Sequence, residues 1–244
     1  MSCWDRFDRK VVLYYTGNKD TRVPGMEREL ERVGLQGADR QWQFPTPFDN
    51  LLLRSVRHDP WVGVGYLSNA MSHYRAISIA YHLGCRNVLI LEDDVRFMKD
   101  VGMVSNYIDT IPDGYDVAKM DSVFKEFGGN GVTLETMSKW RGERKANEFW
   151  SEFDSLYSTG CYALSRKGME RMMFCFEAVE TNKDIGMLRV VDHFLDRKIL
   201  GADMKMYFSR ENVCVQKEFE CVTGYGEIEK RYRAMGVDMG KYAE

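Results

Sequence analysis

The sequence predicts an α/β fold in which helices flank a parallel or mixed sheet, and three observations support this prediction. Residues 88–91 form an uninterrupted apolar run, which is typical of a strand buried on both faces of a sheet. An amphipathic segment over 64–83 ends at Gly84, just before that strand. A second junction follows at 157–164, where a strand-like segment leads into Ser165, a residue type that begins helices. Helices and strands that alternate at short intervals are typical of α/β proteins.

The remaining elements are predicted from the spacing of apolar residues. Apolar side chains at steps of three and four predict helices, and short apolar runs beside turn residues predict strands. Before the central strand we expect a strand at 10–15, a helix over 23–34, a strand at 42–44 and a loop over 45–60. After it we expect a helix over 101–108, a strand at 115–120, a long loop over 126–147, a helix after Ser165, a helix over 188–199, and strands at 206–208 and 213–215.

The composition is that of a globular protein and excludes several function classes. The 244 residues are 44% hydrophobic and carry a net charge of −3, so there is no electrostatic sign of nucleic-acid binding. No apolar run approaches the roughly 20 residues that span a bilayer. The polar N-terminus lacks a signal-peptide pattern, so we expect a cytoplasmic protein, free or peripheral to a membrane, with reduced cysteines. We expect one domain over 1–244, ending in a charged helical tail at 217–244.

Three adjacent carboxylates, Glu92, Asp93 and Asp94, follow the central strand directly. The carboxyl end of a strand is where an α/β sheet places its ligands. Alternate side chains of an extended chain point the same way, so Glu92 and Asp94 can converge while Asp93 faces elsewhere. Oxygen ligands suit Mg²⁺ or Mn²⁺, which usually bridge to substrate phosphates. The motif therefore predicts a metal site for a nucleoside diphosphate; the alternative is a charged turn after a core strand.

Further candidates lie on predicted helices. On a helical wheel, Ser72 falls nearly opposite the apolar stripe of its helix and His73 on the flank, and their helix is joined to the acidic strand by one tight turn. The alternative for His73 is a half-buried histidine bound to a backbone carbonyl. Asp192 and Asp196 are four residues apart and would share one helical side, with Asp192 beside the apolar stripe as a candidate general base. The alternative there is an ordinary charge at the edge of an amphipathic helix.

In chain order, several segments resemble glycosyltransferase family 25, which contains lipopolysaccharide-biosynthesis and collagen-modifying sugar transferases. The most specific feature is Leu-Glu-Asp-Asp-Val preceded by an upstream Ser-His at this distance. The match extends over about residues 10–216, and the segments that carry it are 11–15, 64–75, 88–95, 158–169 and 190–195. One departure is the turn after the first strand, where the family has an Asn-Leu and Arg-rich sequence and this chain has Arg22 well downstream.

The resemblance implies a GT-A fold, with a Rossmann-like mixed sheet and a metal-binding acidic motif. It also implies a UDP-sugar donor, often UDP-galactose or UDP-glucose, and inversion at the sugar carbon. It assigns the metal to Glu92 and Asp94, and the acceptor-deprotonating base to Asp192. The donor would be contacted by residues in the first strand, in the Ser-His helix and in the acidic motif, namely Leu13, Tyr14, Thr16, Ser72, His73 and Asp93.

The expected function is therefore a metal-dependent inverting glycosyltransferase that moves a hexose from a UDP-sugar to a hydroxyl of a glycan or other acceptor. The long loop before the 157–164 strand would shape the acceptor site, with Trp140 or Trp150 as a stacking platform for a sugar ring. One alternative is a sugar nucleotidyltransferase, although the Tyr15-Thr-Gly-Asn-Lys turn is a poor phosphate loop. Another is a module of the same fold that binds a nucleotide or glycan without catalysis.

Overall fold

The computed structural model describes residues 2–14, 19–42, 64–121, 144–154, 158–181 and 194–216. The helices in these residues are α1 (Lys19–Arg32), α2 (Val64–His82), α3 (Val101–Asp109), α4 (Arg166–Thr181) and α5 (Arg197–Leu200), with a 3-10 helix at Cys3–Arg6. The strands are β1 (Arg9–Tyr14), β2 (Asp39–Trp42), β3 (Asn87–Glu92), β4 (Val95–Phe97), β5 (Val117–Lys119), β6 (Trp150–Glu152), β7 (Cys161–Ser165), β8 (Met206–Ser209) and β9 (Cys214–Gln216). None of the described helices has the length and apolar character needed to cross a bilayer.

Seven of the described strands form one mixed sheet in the order β2-β1-β3-β7-β5-β8-β6. The first three are parallel to one another, as in a Rossmann-like half sheet. Strand β7 runs antiparallel to both of its neighbours, β3 and β5, and β5 pairs in parallel with β8. Strands β4 and β9 form a separate antiparallel ribbon. The predicted fold class, a mixed α/β sheet flanked by helices, is confirmed.

Helices cover both faces of the sheet, and the central strand β3 contributes to both cores. Val88 and Ile90 belong to the core under α2 and α4, whereas Leu89 and Leu91 belong to the core under α1 and α3. All four side chains are fully buried, as the apolar run predicted. Burial of each such side chain contributes about 1.5–3 kcal/mol to stability. A slip of one residue in register would exchange the two pairs of side chains between two cores of different shape, and the register is therefore strongly specified.

The predicted helix over 188–199 is wrong in its described part. Asp196 has an extended backbone, with φ −125° and ψ 128°, and its side chain accepts a hydrogen bond from Lys198 N at 2.8 Å. Asp196 is therefore the N-cap of the short helix α5, and no continuous helix can run through it. Leu195 and Ile199 do lie near each other, but across a cap and a single turn. Asp196 is therefore not in the interior of a helix on which it could share a side with Asp192. Asp192 itself lies outside the described residues.

Other elements differ from the prediction mainly in length. Strand β2 begins at Asp39 rather than at residue 42, and neither β4 nor β6 was predicted. Each of these two strands has three residues, which is too short for a period of two to stand out. The predicted cap at Ser165 is confirmed, because its Oγ accepts a hydrogen bond from Gly168 N at 3.1 Å.

Candidate functional site

One edge of the large sheet collects the polar residues. Strands β1, β2 and β3 are parallel, so their carboxyl ends meet at this edge. Strands β3 and β5 both pair antiparallel with β7, which lies between them, so β5 also ends there and β7 begins there. The topology thus brings together the acidic motif at 92–94, Asp121 after β5, and residues 158–160 before β7. Ligands of α/β proteins bind at such an edge.

Glu92 is buried and accepts hydrogen bonds from four described side chains. Oε1 accepts from His73 Nε2 at 3.0 Å, from Thr159 Oγ1 at 2.8 Å and from Asn69 Nδ2 at 3.4 Å. Oε2 accepts from Gln216 Nε2 at 2.8 Å. Burial alone would raise the pKa of Glu92, but the hydrogen bond and attraction of His73, with the bonds from Thr159 and Asn69, lower it below its ordinary value. Glu92 is therefore held as a carboxylate in a fixed position.

His73 links the acidic motif to the sheet interior. Its Nδ1 lies 2.8 Å from the Tyr162 hydroxyl, and the two rings stack with centroids 5.7 Å apart. An ionised carboxylate can only accept, so Nε2 of His73 carries a proton towards Glu92. Ser72 is also fully buried, and its carbonyl accepts from Gln41 Nε2 at 2.8 Å. Ser72 is buried although the helical wheel places it nearly opposite the apolar stripe, because α2 also packs against β2.

Replacing His73 with Leu is expected to lower the free energy of unfolding by about 2–4 kcal/mol. The change removes one of the three donors to Oε1 of Glu92 and the contact of His73 with the Tyr162 hydroxyl, and each lost buried hydrogen bond costs about 1–3 kcal/mol. Urea denaturation measures the difference. His82→Leu is the matched control, because His82 is exposed in the last turn of the same helix. Equal stability of the two variants would show that His73 is not a structural link to Glu92.

Asp93 points towards α1 and forms a buried ion pair. Arg22 Nη1 lies 2.7 Å from Asp93 Oδ1, and the side chains are 5% and 1% exposed. The Asp93 N–H donates to the carbonyl of Leu13 at 3.1 Å, which ties the motif to β1. Removing one partner of such a pair leaves an uncompensated buried charge, at a cost of about 3–5 kcal/mol. No role was predicted for Arg22, because it precedes Asp93 by 71 positions in the chain.

Asp94 is the carboxylate of the motif that the protein satisfies least. Its Oδ1 is buried and has no hydrogen-bond partner within the described residues. Burial, and after it the charges of Glu92 and Asp93, raise the pKa of Asp94 well above its ordinary value, which Arg22 and Arg96 counteract only in part. A hard cation satisfies an unpartnered carboxylate oxygen among like charges. The donor set of Asp94 and Oε2 of Glu92 therefore fits Mn²⁺ or Mg²⁺.

No three His, Cys, Asp or Glu side chains in the described part of the chain are placed together to hold a metal. The predicted metal site has only two carboxylates, Glu92 and Asp94, so the lack of a cluster of three among the described residues does not bear on it. Cations such as Mg²⁺ commonly use one or two carboxylates, and waters and substrate phosphates supply the other ligands.

The carboxyl ends of β1 and β2 carry an aromatic pair. Tyr14 is buried, and its hydroxyl donates to Glu27 Oε1 at 2.6 Å. Burial, followed by the Glu27 carboxylate, raises the pKa of Tyr14. Trp42 packs against Tyr14 with ring centroids 5.6 Å apart and is 43% exposed. Leu13, a predicted donor contact, is fully buried and offers only its backbone. Trp42 therefore presents an aromatic surface at the edge that holds the acidic motif.

Asp121 was not predicted as a site residue. It is fully buried, and its Oδ2 accepts from Gly160 N at 3.0 Å and from the Ser158 hydroxyl. Its Oδ1 is buried without a hydrogen-bond partner in the described residues. Burial raises the pKa of Asp121, and the charge of Lys119 offsets this only in part. No motif marks Asp121 in the sequence, since it is a single aspartate two residues after a three-residue strand.

Four further residues were predicted for the site. Thr16, Trp140 and Asp192 lie outside the described residues, and their roles stay predictions. Trp150 is fully buried in β6, where its Nε1 donates to the carbonyl of Tyr107 at 2.9 Å. A stacking platform for a sugar needs an open ring face. The prediction for Trp150 is therefore corrected: it is a core residue that packs against α3.

No protein-family model matches the sequence, and no curated protein matches it. Solved structures are similar at low identity. A glycosyltransferase involved in the glycosylation of the major capsid of PBCV-1 is 8% identical, with a TM-score of 0.45 and coverage of 94% of this chain and 100% of that one. The galactosyltransferase LgtC, solved with donor and acceptor sugar analogs, is 10% identical, with a TM-score of 0.43 and coverage of 93% and 95%. A197 from STIV is 12% identical, with a TM-score of 0.39 and coverage of 87% and 95%. Identities and TM-scores of this size decide neither family nor reaction.

Proposed function

We propose that this protein is a GT-A glycosyltransferase that moves a hexose from a UDP-sugar to a hydroxyl of a glycan or other acceptor. The observation that carries the proposal is the arrangement of the acidic motif. Glu92 is fixed by surrounding donors, Asp93 pairs with Arg22, and Asp94 has a buried oxygen without a partner in the described residues. Three carboxylates at the carboxyl end of a buried strand are costly unless a ligand uses them.

In this proposal each side chain has a distinct task. Asp94 and Glu92 would hold Mn²⁺ or Mg²⁺, which when bound offsets the charge that develops on the departing diphosphate. Arg22 keeps Asp93 in place for a hydroxyl of the donor ribose or sugar. Asp192 takes the proton of the acceptor hydroxyl as its oxygen attacks the anomeric carbon. Attack on the face opposite the diphosphate inverts the configuration, which NMR of the product anomer tests.

The first test of the proposal is calorimetry of UDP with the wild-type protein, with and without Mn²⁺. We expect binding that requires the divalent ion, followed by release of UDP from one member of a panel of UDP-hexoses. Absence of UDP binding with Mn²⁺ or Mg²⁺ would refute the donor assignment. UDP binding without transfer or hydrolysis for any donor and acceptor would favour a binding module that lacks catalysis.

Trp42 is expected to stack on the uracil ring. Its exposed face stands two strands away from Glu92, about 10 Å along the edge, a distance that a nucleoside diphosphate can span. Trp42→Ala is expected to weaken UDP binding about tenfold, because stacking on an aromatic side chain contributes about 1–3 kcal/mol for each base. Trp42→Phe should retain most of the affinity in the same titration.

Two controls separate stacking from a general effect. Inorganic pyrophosphate lacks the base, so its Mn²⁺-dependent affinity is expected to be the same for Trp42→Ala and wild type. Phe174→Ala removes another exposed aromatic, on α4, and is expected to leave UDP binding unchanged. Equal loss of affinity for UDP and pyrophosphate would assign Trp42 to the shape of the edge rather than to the base.

A further inference from the structure

Asp121 and Glu92 are connected by the same short segment of chain. Residues 158–160, which we call the 158–160 bridge, enter the sheet between the ends of β3 and β5. On one side, Ser158 Oγ and Gly160 N donate to Asp121 Oδ2. On the other side, Thr159 Oγ1 donates to Glu92 Oε1 at 2.8 Å, and the Glu92 N–H donates to the carbonyl of Gly160 at 2.8 Å. The position of Glu92 therefore depends on a bridge that Asp121 holds.

The bridge is held in an unfavourable backbone conformation. Ser158 has φ +82°, in the left-handed region that a residue with a Cβ rarely adopts. Its hydroxyl donates to Asp121, and its carbonyl accepts from the buried Lys119 Nζ at 2.6 Å. A strained residue persists only where its surroundings fix it, and such residues cluster at functional sites.

At Gly160 the bridge has no room for a side chain. A Cβ at Gly160 would lie 2.8 Å from Asp121 Oδ2, 2.9 Å from Gln216 Cγ and 3.3 Å from Val95 Cγ2. Gln216 forms a second connection between Glu92 and the bridge, because its Nε2 donates to Glu92 Oε2 at 2.8 Å and its Oε1 accepts from Ser158 Oγ at 3.4 Å. A displacement of Asp121 would therefore be transmitted to Glu92 by both routes.

We propose that Asp121 is a positioning residue of the nucleotide site, which acts through the 158–160 bridge to hold Glu92 in its ligand-binding place. The identity of the ligand, UDP with a divalent ion, is taken from the proposed function. The contacts among Asp121, the 158–160 bridge and Glu92 do not depend on it. Asp121 need not touch the donor. The hydrogen bonds that Asp121 accepts from Ser158 and Gly160 both go to one oxygen, so an amide in the same place can preserve them.

Three variants test this role by calorimetry of UDP with Mn²⁺. Asp121→Ala is expected to weaken UDP binding about tenfold, the lower end of what outer contacts contribute at metal sites. Asp121→Asn is expected to keep the wild-type affinity and turnover, because its amide oxygen can accept from Ser158 and Gly160. Ser158→Gly relieves the backbone strain but removes the hydroxyl bond. It should therefore keep or raise the melting temperature and still weaken UDP binding, a combination that a merely structural Ser158 would not produce.

A second readout requires no ligand. Amide hydrogen exchange of the Glu92 and Gly160 N–H groups is expected to speed up about tenfold in Asp121→Ala and Ser158→Gly, with Leu89 in the same strand unchanged. Wild-type UDP affinity and wild-type exchange in both variants would overturn the proposal. Full UDP affinity with lost turnover in Asp121→Asn would also overturn it, because Asp121 would then take part in the reaction directly. Faster exchange in the two variants, together with no UDP binding by the wild-type protein, would refute the proposed function but not the positioning role of Asp121.

Discussion

Asp94→Ala is expected to weaken Mn²⁺-dependent UDP binding by about 100-fold and to lower kcat/KM by about 10²- to 10³-fold. The reason is that Oδ1 of Asp94 is buried and has no hydrogen-bond partner among the described residues. In the proposed function this oxygen binds the cation. In Asp94→Ala, Glu92 would be the one proposed carboxylate ligand left to hold the ion. Calorimetry with UDP and Mn²⁺ measures the binding loss, and UDP release from the active donor measures the turnover loss.

Asp94→Asn makes this test sharper, because it keeps the shape of the side chain. A buried carboxylate among like charges destabilises the fold, so its neutral amide is expected to leave the melting temperature equal or higher while UDP binding falls as in Asp94→Ala. Asp113→Ala removes an exposed carboxylate and controls for net charge. If Asp94→Asn binds UDP like the wild type, the acidic turn is not a cation site for this nucleotide.

The sequence was sufficient to predict the central part of the fold. The limits of α2 and β3 agree with the prediction to within one residue, because each depends on a local pattern, namely helical spacing and an uninterrupted apolar run. His73 lies beside the acidic motif, as the tight turn between α2 and β3 led us to expect. These local patterns could not indicate that His73 would donate to Glu92, or that Tyr162 would lie behind it.

The rest of the site depends on contacts between distant parts of the chain. Asp121 meets Gly160 only because β7 inserts antiparallel between β3 and β5, and a sequence without a reliable strand order cannot show that. Arg22 meets Asp93 across 71 residues for the same reason. Trp150 was misplaced because a three-residue strand within a charged segment resembles a loop. Within the described part of 188–199, the apolar interval from Leu195 to Ile199 was misleading, because a cap followed by one helical turn produces the same interval.

Gly168→Ala is expected to be the most destabilising single methyl addition in the described fold, with a loss of about 3 kcal/mol in the free energy of unfolding. A Cβ at this position would lie 2.1 Å from the carbonyl oxygen of Asp116. That carbonyl cannot easily retreat, because it accepts from Ser165 N at 3.1 Å and the Asp116 carboxylate accepts from Lys205 N at 2.9 Å. Thermal unfolding should show a decrease of about 6–12 °C in the melting temperature.

The matched control for this change is Gly102→Ala, which places the same methyl group in the first turn of α3. Its nearest neighbour is the Asp100 side chain at 3.3 Å, and alanine favours the helix by about 0.5–1 kcal/mol, so stability should stay within about 1 kcal/mol of the wild type. A Gly168→Ala protein as stable as this control would show that Asp116 can move. Because Gly168 lies in the first turn of α4 and its close neighbours Asp116, Leu164 and Ser165 are not site residues, the folded fraction of Gly168→Ala should still bind UDP with wild-type affinity. Loss of affinity in that fraction would mean that the junction of β7 and α4 controls the 158–160 bridge as well as the stability of the sheet.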